Sequence, residues 1–134
     1  MENKICLDTD IIIDILRGNE KTTALTKDLE KANIVATTYI NLFELYMGIF
    51  LSEKKEENFN KIKELLPQIE LINLSNASVF IGGKLYALLK TKGKLLESRD
   101  LLIASMAIAN NFELLTKNRK HFEQIPGLKL NKIQ

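Results

Sequence analysis

Short apolar runs alternate along the chain with longer segments whose apolar residues recur at helical spacing. The runs are rich in residues that favour strands, and they are too short for helices. They predict four strands, at 4–7, 34–38, 69–74 and 112–116. Residues 128–130, which come after a Pro-Gly turn, are a candidate fifth strand.

Six helices are predicted between these strands, at 11–17, 20–31, 39–52, 53–66, 75–91 and 99–111. Asp10 is interpreted as the N-cap of the first helix and Ser98 as the N-cap of the last. The segment at 39–52 is apolar nearly all round, which is typical of a buried helix. Gly82 and Gly83 lie inside the helix at 75–91, where each costs roughly 1 kcal/mol relative to Ala.

Strands that alternate with helices are joined by right-handed crossovers, which give a parallel sheet covered on both faces. The predicted fold class is therefore α/β, with three α/β/α layers around a mostly parallel sheet of four or five strands. At 134 residues the chain has the size of one ordinary domain, so we expect residues 1–134 to form a single domain.

The composition, 46% hydrophobic and 27% charged residues, is that of a globular protein. No apolar run reaches the roughly 18 residues of a membrane helix, and the N-terminus carries no export signal, so no membrane partner is expected. The lone Cys6 excludes an internal disulfide, which favours the cytoplasm. The net charge of +2 does not by itself indicate a nucleic-acid binder, and the basic run TKNRKHF at 116–122 is by itself typical of a solvated face.

Candidate site residues come directly after the strands, because ligands of a parallel α/β sheet bind beyond the carboxyl ends of the strands. Asp8 and Asp10 come after the first strand, and Glu44 lies in the helix after the second. Asn118 lies two residues beyond the fourth strand, and Asp100 opens the helix that leads into it. Apart from Glu44, each also has an ordinary structural interpretation as a helix cap, a dipole partner or a loop residue.

Glu44 is the single charge of its apolar helix, and no lysine or arginine lies one helical turn away to pair with it. A buried ion must be paired, ligate a metal or shift its pKa. If Asp8, Glu44 and Asp100 converge within about 5 Å, each like-charge pair costs on the order of 3 kcal/mol at an effective dielectric of about 20. A divalent cation would offset this cost, and oxygen ligands select Mg²⁺ or Mn²⁺ over zinc. Asn118 could add a carbonyl oxygen or hold a coordinated water.

Three segments together resemble the PIN domain family, in particular its VapC-type toxins of toxin–antitoxin pairs: CLDTDIIIDILRG, NLFELYMGI and RDLLIASMAIANNFELLTKNRKHFEQIPGLKL. The resemblance covers essentially the whole chain, in the family's order and spacing. It implies a PIN-like fold and a ribonuclease that uses Mg²⁺, with Mn²⁺ as an alternative ion. The implied metal ligands are Asp8, Glu44 and Asp100, and Asn118 is the fourth catalytic position. Many family members carry Asp where this chain has Asn118, so whether one or two ions bind stays open.

The resemblance also suggests roles for three residues near these ligands. Thr116 matches a hydroxyl position that is often found beside the site. Asp10 falls where relatives commonly have Ser or Asn, so we interpret it as a helix cap, with ligation as the lesser alternative. RNA would be hydrolysed by metal-activated water, which leaves a 5′-phosphate and a 3′-hydroxyl. His121 is the only histidine, so cleavage through the ribose 2′-hydroxyl by a pair of histidines is not expected. We interpret His121 as a surface or packing residue.

An acidic site repels phosphate, so neighbouring basic and hydroxyl side chains are needed to hold the RNA substrate. The predicted substrate-binding residues are Thr116, Arg99, Lys117, Arg119 and Lys120.

The resemblance further implies a cognate antitoxin and a homodimer. A segment of the antitoxin would lie in a groove between the helices at 39–52 and 53–66 and would reach toward the site with a basic side chain. The alternative is that Phe59 and Ile62 of the second helix simply pack on the domain.

Two other functions stay open on the sequence alone. The Asp-Thr-Asp sequence after an apolar strand also begins the haloacid-dehalogenase-like phosphatases, although this chain lacks their later Gly-Asp-x-x-x-Asp motif. A non-toxin PIN protein that processes or binds RNA, with weak or no nuclease activity, is the other alternative, and Asn118 keeps it open.

Overall fold

A sheet of four parallel strands forms the centre of the molecule. The computed structural model describes residues 3–18, 20–32 and 34–132. The strands are β1 (Lys4–Leu7), β2 (Ile34–Thr38), β3 (Glu70–Ile72) and β4 (Glu113–Leu115). They lie in the order β3-β2-β1-β4, and every neighbouring pair is parallel. The predicted parallel sheet is therefore confirmed.

Helices connect the strands: α1 (Thr9–Arg17), α2 (Glu20–Leu29), α3 (Tyr39–Leu51), α4 (Lys55–Leu65), α5 (Asn76–Thr91), α6 (Ser98–Ala109) and α7 (Arg119–Phe122), with a 3₁₀ turn at Leu66–Gln68. The six longer helices are those predicted from the apolar spacing, with ends that differ by one or two residues. Within the described part of the chain, none of them combines the length and the apolarity that crossing a membrane requires.

The two faces of the sheet carry separate hydrophobic clusters, because successive residues of a strand point to opposite faces. Cys6 of β1 belongs to the cluster under α5 and α6. Its neighbours Ile5 and Leu7 belong to the cluster under α1, α3 and α4. Helices thus cover both faces, and the predicted three-layer α/β/α architecture is confirmed.

Close packing of α5 on α6 explains one of the two glycines inside α5. A Cβ atom at Gly82 would lie 3.2 Å from the Oγ atom of Ser105 on α6, which is tighter than ordinary side-chain packing. The helix continues without a break through Gly82 and Gly83. The contact fixes the position of α6, whose first turn carries Asp100.

Two predicted helix caps are wrong. Asp8, not Asp10, is the N-cap of α1, and its side chain accepts a hydrogen bond from the backbone N–H of Thr9. The chain enters the helix as soon as β1 ends, so Asp10 already lies in the first helical turn. Ser98 is the first residue of α6 and Glu97 is its N-cap, without a capping hydrogen bond from its side chain.

The candidate strand at 128–130 contributes a single bridge. Leu130 pairs in parallel with Leu114 of β4, and no further ladder forms between the described residues of the two segments. Across residues 3–18, 20–32 and 34–132 the sheet therefore has four strands, and the segment after Gly127 only borders its edge.

Candidate active site

Asp8 is held at the carboxyl end of β1 by three neutral hydrogen-bond donors. Its Oδ1 atom accepts from the backbone N–H of Thr9 at 2.9 Å and from Nδ2 of Asn41 at 3.0 Å. Its Oδ2 atom accepts from the hydroxyl group of Thr116 at 2.6 Å. The backbone N–H of Asp8 also donates to the carbonyl of Leu115, which extends the pairing of β1 with β4 and brings Thr116 beside Asp8.

Glu44 projects from α3 toward the same edge and is mostly buried, with its side chain 17% exposed. Its Oε1 atom accepts from the hydroxyl group of Thr9 at 3.1 Å, and its Oε2 atom lies 3.2 Å from Nη1 of Arg99. Burial raises the pKa of Glu44, Arg99 and Thr9 lower it, and the charges of Asp8 and Asp100 raise it. The ion-pair partner that the sequence did not reveal therefore comes from α6.

Asp100 lies in the first turn of α6, and its partner is His121 of α7. Nε2 of His121 lies 2.9 Å from Oδ2 of Asp100, and both side chains are largely buried. His121, which the sequence suggests to be a surface or packing residue, thus contacts a candidate site residue.

The three carboxylates lie at one edge of the sheet. The hydroxyl group of Thr9 donates to Glu44 and accepts from Asn41, which also donates to Asp8. Arg99, the chain neighbour of Asp100, pairs with Glu44. Their donor set consists of oxygens only, which suits Mg²⁺ or Mn²⁺. In residues 3–18, 20–32 and 34–132, however, no three His, Cys, Asp or Glu side chains are grouped closely enough to hold an ion. The donor chemistry fits a hard cation, and the three carboxylates would have to move closer together to bind one. Their role as metal ligands stays a prediction.

Asp10 connects α1 to the segment after β4. Its Oδ2 atom accepts from the backbone N–H of Lys117 at 3.1 Å. Its Oδ1 atom is buried and has no hydrogen-bond partner in the described part of the chain. Burial raises the pKa of Asp10, and the charge of Asp8 raises it further. A buried oxygen without a hydrogen-bond partner costs free energy of folding. Metal ligation by Asp10 therefore stays the alternative to a purely structural role.

Thr116 and Asn118 enter the site in different ways. Thr116 is fully buried, and its hydroxyl group, which donates to Asp8, also accepts from the backbone N–H of Asn118 at 3.0 Å. Asn118 itself is exposed and precedes α7, where its backbone carbonyl accepts from the N–H of His121. A catalytic role for the Asn118 side chain stays a prediction.

Most of the basic residues predicted to bind RNA contact other groups of the protein. Arg99 contacts Glu97 as well as Glu44. Lys117 forms an ion pair with Asp14 of α1. Nη1 of Arg119 donates to the backbone carbonyl of Asn131 at 2.6 Å, whereas Lys120 is exposed. RNA binding by these side chains stays a prediction, and it would require Arg99 and Lys117 to exchange partners.

Comparison with known proteins identifies the family. Residues 5–128 match the PIN domain. The chain belongs to the PIN domain family. It is 39% identical over 125 residues to Ribonuclease VapC2 of Rickettsia felis, an alignment that covers 91% of this chain and 92% of that protein. It is 34% identical over 131 residues to Ribonuclease VapC1 of Methanocaldococcus jannaschii, covering 96% and 88% of the two chains. The resemblance drawn from the sequence segments is confirmed.

A solved structure shares the arrangement of this PIN domain. The crystal structure of VapBC2 from Rickettsia felis, bound to a DNA fragment from their promoter, superimposes with a TM-score of 0.87 at 37% identity. The superposition covers 95% of this chain and 96% of that chain.

Sequence reasoning missed two neutral residues of the PIN domain site, Thr9 and Asn41. Asn41 is completely buried and contacts Asp8, and Thr9 contacts Glu44. A signal was present, because Asn41 precedes Glu44 by three residues and side chains at that spacing share one face of a helix. A second polar residue on the Glu44 face of an otherwise apolar helix indicates a buried polar partner.

Two clefts adjoin α3 and α4 of the PIN domain. One, of about 270 Å³, is bordered by α1, α3 and α4 and reaches Glu44; Ile13, Ile49 and Lys61 are among its lining residues. The other, of about 400 Å³, is lined by Tyr46, Phe50, Phe59, Ile62 and Lys63. Ile62 is almost fully buried and belongs to the core, and the ring of Phe59 packs on those of Tyr46 and Phe50. The packing role considered for Phe59 and Ile62 is therefore present, and both side chains also line a cleft.

Proposed function

We propose that this PIN domain is a VapC-type ribonuclease toxin, an endoribonuclease that hydrolyses RNA phosphodiester bonds and is controlled by a cognate antitoxin. The observation that carries the proposal is the acidic edge of the sheet, where hydrogen bonds through Thr9 and Asn41 connect Glu44 with Asp8, and Arg99 connects Glu44 with the first turn of α6, which carries Asp100. The 39% identity to Ribonuclease VapC2 of Rickettsia felis supports RNA as the substrate class. The proposed place of action is the cytoplasm, where that substrate lies.

The proposed cofactor is Mg²⁺, with Mn²⁺ as the alternative, held by Asp8, Glu44 and Asp100. When bound, such a cation supplies a Lewis acid that lowers the pKa of coordinated water and stabilises charge on phosphoryl oxygens. The protein holds Asp8 in place with neutral donors. Asn118, which carries no charge, gives less support for a second ion than an Asp would.

The RNA backbone would be held by basic side chains around the acidic edge. Arg99 is 47% exposed and lies against Glu44, so its guanidinium group is within reach of a phosphate at the site. Lys117 and Lys120 are exposed beside Thr116, and Arg119 positions the segment between them. Binding through such contacts weakens as the salt concentration rises, because phosphate neutralisation releases counterions.

We propose that an antitoxin segment occupies the cleft of about 270 Å³ that α1, α3 and α4 form. Apolar side chains line most of it, which suits an amphipathic segment. Glu44 is one of its lining residues, and a basic side chain of the partner would find a negative charge there. The VapBC2 structure from Rickettsia felis supports a complex of this kind.

We also propose that two copies of the PIN domain associate through apolar faces of α3 and α5. Phe43 of α3 is 60% exposed and Phe80 of α5 is 71% exposed, and burial of these large apolar side chains between two copies would be favourable. Light scattering should give the mass of a dimer, and a monomer at high concentration would contradict the homodimer.

Cleavage of RNA by the purified chain tests the proposed function. With Mg²⁺ present, structured RNA should be cut into products with a 5′-phosphate and a 3′-hydroxyl. EDTA and the variant Asp8→Asn should each abolish cleavage, whereas Glu56→Gln, which alters an exposed carboxylate of α4, should not. A cyclic phosphate product, or activity that persists in EDTA, would contradict the mechanism.

The same preparation distinguishes the alternatives. Salt-sensitive RNA binding without cleavage would support the RNA-binding PIN protein. Hydrolysis of p-nitrophenyl phosphate without RNA cleavage would support the phosphatase.

A further inference from the structure

Asn41 lies in the first turn of α3 and is completely buried, and its side-chain amide forms hydrogen bonds with Asp8, Thr9 and Thr38. Its Nδ2 atom donates to Oδ1 of Asp8 at 3.0 Å and to Oγ1 of Thr9 at 2.9 Å. Its Oδ1 atom accepts from the hydroxyl group of Thr38 at 2.7 Å. The amide thus joins the ends of β1 and β2 to the starts of α1 and α3.

The orientation of the amide is determined by its neighbours. The backbone N–H of Thr38 can only donate, and it lies 3.4 Å from Oδ1 of Asn41. The oxygen must therefore face Thr38, and the nitrogen must face Asp8 and Thr9. An ionised Asp8 can only accept, which agrees with this orientation.

The direction of the hydrogen bond between Thr9 and Glu44 depends on the direction of the one between Asn41 and Thr9. Thr9 accepts from Asn41, so the single hydrogen of its hydroxyl group is available to Oε1 of Glu44, which lies 3.1 Å away. Asn41 thereby acts on two carboxylates, on Asp8 directly and on Glu44 through Thr9.

The same contacts determine which oxygen of Asp8 stays available. A carboxylate has about four acceptor positions, two on each oxygen. Two donors, Asn41 and the Thr9 N–H, occupy those of Oδ1, and Thr116 occupies one on Oδ2. The remaining position belongs to Oδ2.

A purely structural role explains only half of this arrangement. Asn41 and Thr38 form a capping box at the start of α3. That box uses Oδ1 of the amide, whereas both contacts toward the acidic edge use Nδ2.

We propose that Asn41 is a positioning residue that orients Asp8 and, through Thr9, Glu44, and so determines how tightly the acidic edge binds a divalent cation. This inference rests on the proposed function, because it takes Asp8 and Glu44 as ligands. Asn41 itself would not contact the cation or the substrate.

Calorimetric titration of the full chain with Mn²⁺ tests the role of Asn41. Asn41→Leu removes both halves of the amide network, and we expect it to weaken Mn²⁺ binding by about 10- to 100-fold, the range found for outer-shell partners of metal ligands. Thr38→Val is the matched control, because it removes a capping hydroxyl group and leaves the Nδ2 contacts intact. Thr38→Val should lower the melting temperature but change the Mn²⁺ affinity by less than about twofold relative to the wild type, which is far less than the loss expected for Asn41→Leu.

A second pair of variants tests the contribution through Thr9 without altering the buried amide, in case Asn41→Leu does not fold. Thr9→Val should weaken Mn²⁺ binding by about 10-fold, and Thr9→Ser, which keeps the hydroxyl group, should restore it. Folded variants Thr9→Val and Asn41→Leu with unchanged Mn²⁺ affinity would overturn the positioning role alone. A wild-type chain that binds no Mn²⁺ would overturn the proposed metal site, and this inference with it.

Discussion

The acidic edge of the sheet contains two differently supported regions. Asp8 is surrounded by neutral donors, an amide, a hydroxyl group and a backbone N–H. Glu44 and Asp100 each face a basic side chain, Arg99 and His121 respectively. At the proposed cation site, the neutral donors of Asp8 could stay in place, whereas the guanidinium group of Arg99 would repel the cation. Binding as proposed would therefore require a change of partner at Glu44 and none at Asp8.

Removal of a carboxylate should have the largest effect. Glu44→Gln should weaken Mn²⁺ binding by more than about 100-fold, because a ligand contributes more than the outer-shell partners whose loss costs about 10- to 100-fold. Calorimetry measures the affinity, and the loss of the Mg²⁺-induced rise in melting temperature gives an independent check. The exposed Glu56→Gln is the control. A normal metal response in Glu44→Gln would exclude Glu44 as a ligand.

Removal of a neutral donor should have an intermediate effect. Thr116→Val deletes the hydroxyl group that donates to Asp8 at 2.6 Å, and we expect Mn²⁺ affinity to fall by about 10-fold. The free energy of unfolding should fall by about 1 to 3 kcal/mol, because Asp8 loses a partly buried charge-assisted hydrogen bond. Thr116→Ser should restore both values. If only stability changes, the hydroxyl group supports the fold and not the site.

Removal of a basic partner should have a smaller effect of the opposite sign. Arg99→Gln removes a positive charge beside Glu44, so Mn²⁺ should bind about two- to fivefold more tightly, as expected for a partly exposed ion pair. Lys92→Gln, a change of an exposed lysine at the end of α5, should leave the affinity unchanged. Weaker binding in Arg99→Gln would show that Arg99 supports the cation site.

The smallest effect of these substitutions is expected on the reactivity of the Cys6 thiol. Cys6 lies two residues before Asp8, so its labelling rate shows whether a substitution acts only locally. The thiol is completely buried, and burial, together with the smaller effect of the Asp8 charge, raises its pKa. It should therefore react slowly with a thiol reagent in the native state, even at pH 9, in the wild type and in all the variants above. Rapid labelling in one variant would show that the substitution opens the sheet.

Local patterns in the sequence were sufficient to predict the four strands and the six longer helices, and they selected the sheet edge for the candidate site. The strands are short and apolar, and a parallel sheet brings the residues after its strands together at one edge. Asp8, Glu44 and Asn118 could be selected in this way, whereas Thr116 was indicated only by the family resemblance.

Features that depend on tertiary contacts could not be predicted. The cap of α1 depends on the residue at which β1 ends, so Asp8 and Asp10 could not be distinguished from composition. The ion pair of Glu44 with Arg99 joins two helices that are far apart in the chain. Asn41 carries no charge, and its importance is evident only from its burial beside Asp8.

The segment that borders β4 protects the sheet from unwanted association. An uncovered outer strand offers its N–H and C=O groups to strands of other molecules and promotes aggregation. Leu114 instead donates to the carbonyl of Lys129 and accepts from the N–H of Asn131, and Arg119 holds the carbonyl of Asn131. Copies of this protein that meet at high concentration are therefore directed away from amyloid-like growth at this side.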